Sequence, residues 1–316
     1  MDLNSSPRAM QIKADYPELN GLDPNFMARL NLEAIFLEES VKGATKINRK
    51  KVPLLQLAAP VISRMLFSGE AIEFIARGVL FSPAEQMYAH GIWARFANIT
   101  TVILTNYRLL FLNTDGKGRP LDMNYHQARF DRLTAVKSGS FFPNFQLSFG
   151  KRNIKTFQEL SKPDRQALKD RLSPKVGQPS VALFPEIQGD TGGFENLCPV
   201  CFRPVPLKTY HCPTCQAAFR TPGQAALRGL FLPGLGDLYL GRKTLGAFKA
   251  VVYLLVYVIL IGIGVADPKI ENFIMAIIII PALNIMDSLV TYFTAKKGLV
   301  PASPPAANPA GQILPR

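Results

Sequence analysis

The spacing of apolar positions changes character along the chain. In "LDPNFMARLNLEAIFLEESVK" (22–42), Phe26, Leu30, Ala34, Leu37 and Val41 recur at helical intervals, Asp23 suits a cap and Pro24 a first turn. A packing helix is predicted there, preceded by a flexible start at 1–22. A basic run, "KINRKK" (46–51), leads into "VPLLQLAAPVISRMLF" (52–67), too short to span a bilayer and interrupted by Pro60 and Arg64. It predicts a helix lying on the next domain or on a membrane surface; together these give N-terminal helices over 23–67.

From about residue 69 the period shortens. "TTVILTNYRLLFLN" gives two apolar strands around Thr105, Asn106 and Tyr107, with a turn at Asp115 and Gly116. "FQLSFG" places Phe145, Leu147 and Phe149 on one face, and "IKTFQEL" returns the chain. "SKPDRQALKDRL" opens with a helix start at Ser161 to Pro163 and aligns Leu168 with Leu172. Short antiparallel strands followed by one amphipathic helix predict a small β-barrel with a capping helix over 68–172. Residues 173–196 carry three prolines and four glycines without periodicity and read as a linker. Two long apolar runs follow at 245–266 and 273–295, then a Pro/Ala-rich tail at 298–316 that reads as disordered.

Composition narrows the possibilities. The net charge of +13 suits a nucleic acid or an anionic leaflet and does not choose between them. The first twenty residues hold no apolar h-region, so no cleavable secretory signal is expected. All four cysteines, Cys198, Cys201, Cys212 and Cys215, fall within 18 consecutive residues as two CPxC pairs ten residues apart. Two such knuckles supply four soft thiolates, the donor set of a structural tetrahedral zinc site; a rubredoxin-type iron takes the same ligands. A ribbon over 197–220 cannot bury a core of its own, so a metal is expected to hold it. Arg203, Lys208, Tyr210, Phe202, Phe219 and Arg220 have the composition of a nucleic-acid face, but aromatic residues are also what a small ribbon uses as core, and nucleic-acid binding is not the favoured reading.

"TTVILTNYRLLFLN" resembles the strand–turn–strand signature of bacterial pleckstrin-homology-like (GRAM-related) domains, over about 65–172. The resemblance implies a curved sheet with a capping helix that binds lipid headgroups or peptides rather than catalysing a reaction. Lys117, Arg119, Lys151, Arg152 and Lys155 sit near expected turns and are the candidates to meet phosphates or a partner.

The run 245–266 is uncharged from Ala250 to Ala266, and 273–295 ends at Lys296 and Lys297. Both are long enough to span, and Pro281 can kink the second. Arg242, Lys243 and Lys249 flank or open the first span, whereas the connecting loop has only Lys269, so both ends are expected inside. The segment before the spans is short and broken by Pro233, Gly234 and Gly236, which suits an interfacial or re-entrant piece. "PGLGDLYLGRKTLG" resembles the entry motif of the bacterial two-transmembrane-helix (TM-two) domain family, over about 225–297. Where many members carry a basic pair as "HRF", this chain has Gly236, Asp237 and Leu238. Asn284, Asp287, Ser288 and Thr291 form a polar stripe on the second span, expected to pair with Arg228 or Arg242 or to line an oligomer contact, with an ion path as the sharper alternative.

No GxSxG, P-loop or HExxH is present, and His90, His126 and His211 have no acid or nucleophile at catalytic spacing. The expectation is a non-enzymatic, multi-pass protein of the bacterial inner membrane, α+β and multidomain, with both termini cytoplasmic. It would be an adaptor or sensor for a protein or anionic lipid headgroup, with structural zinc and a possible homo-oligomer. An oligomeric conduit for an ion or small solute, and membrane-tethered nucleic-acid binding, are the alternatives.

Overall fold

The structure is a computed structural model that describes residues 4–81, 92–139, 144–150, 153–179, 189–267 and 269–303. The chain divides into two compact units, one of residues 1–83 with 98–209 and one of residues 84–97 with 210–316.

The first unit is α+β. Its nine strands are β1 (Ile72–Phe81), β2 (Ile99–Thr105), β3 (Arg108–Asn113), β4 (Tyr125–Arg129), β5 (Ala135–Ser138), β6 (Asn144–Ser148), β7 (Ile154–Gln158), β8 (Phe194–Leu197) and β9 (Pro204–Val205). They form one antiparallel sheet in the order β5-β6-β7-β1-β2-β3-β4-β8-β9. The sheet is open, so the small closed barrel expected from the strand pattern is replaced by a larger sheet. The reason lies in the segment read as a linker, whose last residues form β8 and extend the sheet beyond β4 through Tyr125↔Leu197 and Ala128↔Phe194.

Both faces of this sheet are covered, which explains why all six residues of β3 are buried. Ile103, Leu110 and Leu112 face one apolar cluster with the N-terminal helices, α1 (Pro7–Asp15), α2 (Pro24–Met27), α3 (Leu32–Ile35) and α4 (Ala44–Met65). Val102, Leu104, Leu109 and Phe111 face the other, with Phe145 and Phe157. Helix α6 (Lys162–Leu172) joins this second cluster through Leu168 and Leu172, and the Ser161 side chain caps it by accepting from the Asp164 N–H.

The N-terminal layer departs from expectation in three places. Pro7–Asp15 and Pro17–Gly21, within the start expected to be flexible, are helical: Ser6 caps α1 by accepting from the Ala9 N–H, Pro7 sets its first turn, and Ala9, Ile12 and Leu19 enter the core. The single helix expected near 23–42 is two short ones. Between them Leu30 bridges to Ile72, with Asn31 N–H donating to Ile72 O at 2.9 Å and Ile72 N–H to Arg29 O at 2.8 Å. Pairing with β1 thus outcompetes a continuous helical ladder. Conversely, α4 runs unbroken from the basic stretch through Pro53 and Pro60, both on its exposed side. Lys51 explains why the basic stretch is helical: it is buried, donates to Ile35 O at 2.8 Å and pairs with Asp164 at 3.1 Å. Burial pushes its pKa down, against the pull of Asp164.

Tyr125 provides a test of this packing. It is fully buried, stacks near Phe202 at 6.2 Å, and its hydroxyl has no hydrogen-bond partner among the described residues. Burial, aided by Asp122, pushes its pKa well above the ordinary tyrosine range. A raised pKa contributes stability that is complete below the unfolded value near 10 and is lost as pH rises through the folded value. Tyr125→Phe is therefore expected to leave neutral-pH stability unchanged or raise it by about 1 kcal/mol, and to move alkaline unfolding to higher pH. Circular-dichroism melts between neutral and strongly alkaline pH check this; a clear destabilisation at neutral pH would refute it.

The second unit contains α5 (Ile92–Ala97), α7 (Pro222–Phe231), α8 (Leu235–Tyr239), α9 (Lys243–Ala266) and α10 (Ile270–Ala295). Helices α9 and α10 are long and apolar enough to cross a membrane. Most of their large apolar side chains point outward, among them Leu254, Leu255, Val258, Ile259, Ile277 and Ile278. An outward apolar surface on two such helices is the arrangement that lipid requires and water penalises. Helix α10 continues through Pro281. Of the C-terminal segment, Val300 and Pro301 are buried against Arg220 and Phe219; residues 304–316 lie outside the described residues.

Candidate functional site

The two CPxC segments fold into the same local shape. Strand β8 ends at Leu197 and delivers Cys198, whose N–H donates to Arg203 O at 2.9 Å while the Phe202 N–H donates back to Cys198 O at 2.8 Å. In the second segment the Cys212 N–H donates to Ala217 O at 2.9 Å and the Gln216 N–H to Cys212 O at 2.9 Å. The residue four after the first cysteine is left-handed in both, Phe202 at φ 57° and Gln216 at φ 59°. That repeated strain marks a knuckle built to bring two sulfurs round to one side. The Val200 N–H points at Cys198 Sγ from 3.4 Å, a bond that stabilises a thiolate. Pairing of β8 with β9 closes one arm and a His211–Ala218 bridge the other.

The outcome is a cluster in which the sulfurs of Cys198, Cys201, Cys212 and Cys215 all lie within 4.8 Å of one another. A tetrahedron with metal–sulfur bonds of about 2.3 Å has edges of about 3.8 Å, so four thiolates at this spacing fit a metal ion. All four sequence-expected ligands are therefore brought together. His211 is exposed and engaged as a strand partner of Ala218.

The composition suggestive of a nucleic-acid face is divided by the fold. Phe202 packs against the N-terminal core, with the Arg64 guanidinium 5.0 Å from its ring, and Phe219 is buried. Arg203, Lys208 and Tyr210 are exposed. The candidate phosphate-binding cations of the sheet unit are spread as well. Lys117 and Arg119 are exposed in the β3–β4 turn, whose shape comes from Asp115 accepting from both their backbone N–H groups. Lys155 lies on β7, separated from β3 by β1 and β2, and stands 4.9 Å over the Phe194 ring. Lys151 and Arg152 lie outside the described residues.

The Thr105–Arg108 signature is the hub of a buried charge network. Arg108 is 2 % exposed and grips Glu70 through Nε and Nη2, both at 2.9 Å, while donating to Met65 O at 2.6 Å and to Gln127. Thr105 Oγ1 donates to Glu70 at 2.8 Å and accepts from the Tyr107 and Arg108 N–H groups, shaping the turn. Asn106 accepts from the Ala71 N–H and donates to Gly69 O. These residues hold β1, β2 and β3 in register, and Arg108 is spent on structure.

The second unit contains a charge cluster that sequence reasoning assigned differently. Lys249 Nζ lies 2.7 Å from both Asp237 Oδ2 and Asp287 Oδ1, and all three residues are at most 5 % exposed. Asp287 Oδ2 accepts from the Gly234 N–H at 3.0 Å, and Arg242 approaches Asp237 at 3.6 Å. Two carboxylates thus face two cations, so the buried charge is balanced. Asp287 was expected to pair with Arg228 or Arg242; its partner is Lys249, one turn and a half into α9, because the Lys249 side chain points inward at α8. Asp237 is the buried charged partner that the sequence pattern did not single out.

The rest of the polar stripe is also engaged within the chain. Asn284 bonds to the Tyr257 hydroxyl, Ser288 Oγ donates to Ala226 O at 2.8 Å, and Thr291 is buried beside Gly236. Glycines permit this closeness: a Cβ on Gly234, at φ +93°, would stand 2.3 Å from Gly246 O, and one on Gly246 would stand 2.7 Å from Leu238 N. The broken entry segment is thereby wedged against α9 and α10. His126 is buried beside the Phe194 ring at 4.7 Å, and His90 lies outside the described residues. No protein-family model, curated protein or solved structure matches this chain.

Proposed function

We propose that this chain is a membrane-anchored adaptor or sensor, non-enzymatic, that recruits a protein or binds an anionic lipid headgroup. In this reading the α+β unit is pleckstrin-homology-like and the helical hairpin TM-two-like. The four cysteines hold a structural zinc, whose tetrathiolate shell leaves no open position for a substrate. Placement in a bacterial inner membrane, with both termini cytoplasmic, follows from the basic flanks and from thiols that need a reducing compartment.

The observation that carries the proposal is the pair of outward-apolar helices in one chain with a folded α+β unit and a four-sulfur cluster. A conduit reading draws on Asp287, but its carboxylate is balanced by Lys249 and held by a backbone N–H, which favours a structural role.

The test is a pull-down from solubilised membranes with the intact chain and with a Cys198→Ser/Cys201→Ser variant. Selective co-purification of a protein with the intact chain, lost in the variant, is the expected result. If the protein is absent from carbonate-washed membranes, the membrane reading fails.

A further inference from the structure

Two arginines of the membrane unit converge on one ring. The guanidinium carbon of Arg228 lies 3.9 Å, and that of Arg220 5.2 Å, from the centroid of Tyr239. Among the described residues neither forms an ion pair with a carboxylate, whereas Lys249 and Arg242 in the same unit both do. Like charges gathered on one ring repel, and an anion between them would relieve that repulsion. The group is built rather than incidental. The Arg220 backbone N–H donates to Val300 O at 2.8 Å, its guanidinium reaches Ala302 O at 3.5 Å, and the Tyr239 hydroxyl donates to Gln224. Arg220, Arg228, Leu235, Leu238, Tyr239 and Ala302 line an open cavity of about 680 Å³.

We infer that this cavity binds the phosphate of an anionic phospholipid, held between Arg220 and Arg228 beside Tyr239. Guanidinium forks match phosphate oxygens in pairs. The choice of a lipid over a free phosphate rests on the neighbours. Helix α7, which carries Arg228, exposes Leu227, Leu230 and Phe231 on another face, and Phe231 is 74 % exposed. An amphipathic helix of this kind lies at the boundary of headgroups and acyl chains, which puts Arg228 at phosphate depth. Leu235 and Leu238 give the cavity an apolar wall for the chain below the phosphate. The inference rests on the membrane reading above and names a lipid class for the entry segment, away from the sheet-unit cations.

The test uses the full chain purified in mild detergent. Native mass spectrometry compares retention of dioleoyl phosphatidylglycerol with that of dioleoyl phosphatidylcholine. A preference for phosphatidylglycerol is expected, with about a fivefold contribution from each arginine. Arg220→Gln/Arg228→Gln is expected to abolish it while the melting temperature and helical circular dichroism stay as in the parent. Should the double variant not accumulate, the two single variants are each expected to lose about fivefold. An unchanged preference in folded variants overturns the inference, as does displacement of phosphatidylglycerol by millimolar inorganic phosphate, which would make this a free-phosphate site. Carbonate extraction separates the outcomes: a protein that stays in membranes without lipid preference refutes this site alone.

Discussion

Replacing Cys198 and Cys212 with serine is expected to abolish metal binding at the proposed zinc site and unfold residues 197–219, the largest effect among the predictions. Together the two substitutions remove one thiolate from each knuckle, and the left-handed turns at Phe202 and Gln216 then have no ligand field to hold them. Structural zinc in comparable four-ligand modules contributes on the order of 10–16 kcal/mol at neutral pH. Between the two knuckles themselves, only short pairings such as β8 with β9 and the His211–Ala218 bridge close the ribbon. Metal analysis of the purified chain is expected to show one zinc per polypeptide, absent from the variant, together with protease cleavage between residues 199 and 215. Thiolates are the ligands, so acidification should release the metal by protonating them. A variant that keeps its metal, or that resists protease like the parent, would sink the reading.

Substitution of Lys249 by methionine is expected to prevent stable accumulation in the membrane. The change leaves Asp237 and Asp287 buried with their shared cation gone. Breaking a buried pair by removing one partner costs about 3–5 kcal/mol, and here two like charges lose one partner together. Arg242, 3.6 Å from Asp237, still faces that carboxylate. Adding Asp287→Asn to Lys249→Met should restore part of the loss, since it removes one of the two carboxylates left without Lys249. The interaction is read as the departure from additivity in a double-mutant cycle on melting temperature in detergent. A Lys249→Met protein that melts like the parent would show that the cluster does not hold the entry segment.

Much of the fold was legible where local signals agree. The strands at 99–105 and 108–113 were visible because apolar runs flank Thr105, Asn106 and Tyr107, and the helix at 162–172 because Ser161, Pro163, Leu168 and Leu172 supply both cap and stripe. The four ligand positions were legible because metal-knuckle spacing is a local property. What escaped was non-local. Helix α1 has only Ala9 and Ile12 to bury, too faint a stripe to separate from a flexible start. Strand β8 has no strand character apart from its partner β4, almost seventy residues earlier in the chain. The closed barrel failed for the same reason, since nothing in residues 68–172 announces that 194–197 will extend the sheet.

The sequence by itself determined which segments are apolar enough for a membrane, which four side chains can share a metal, and where most turns fall, because these depend on side-chain chemistry within a few residues. The tertiary structure alone decided the partners of the buried charges. Arg108 meets Glu70, Lys51 meets Asp164, and Lys249 stands between Asp237 and Asp287. By sequence Lys249 looked like a cytoplasmic flank residue. Its role turns on the direction in which one helix face points, and that is set by glycines at 234 and 246 letting two backbones approach too closely for any side chain between them.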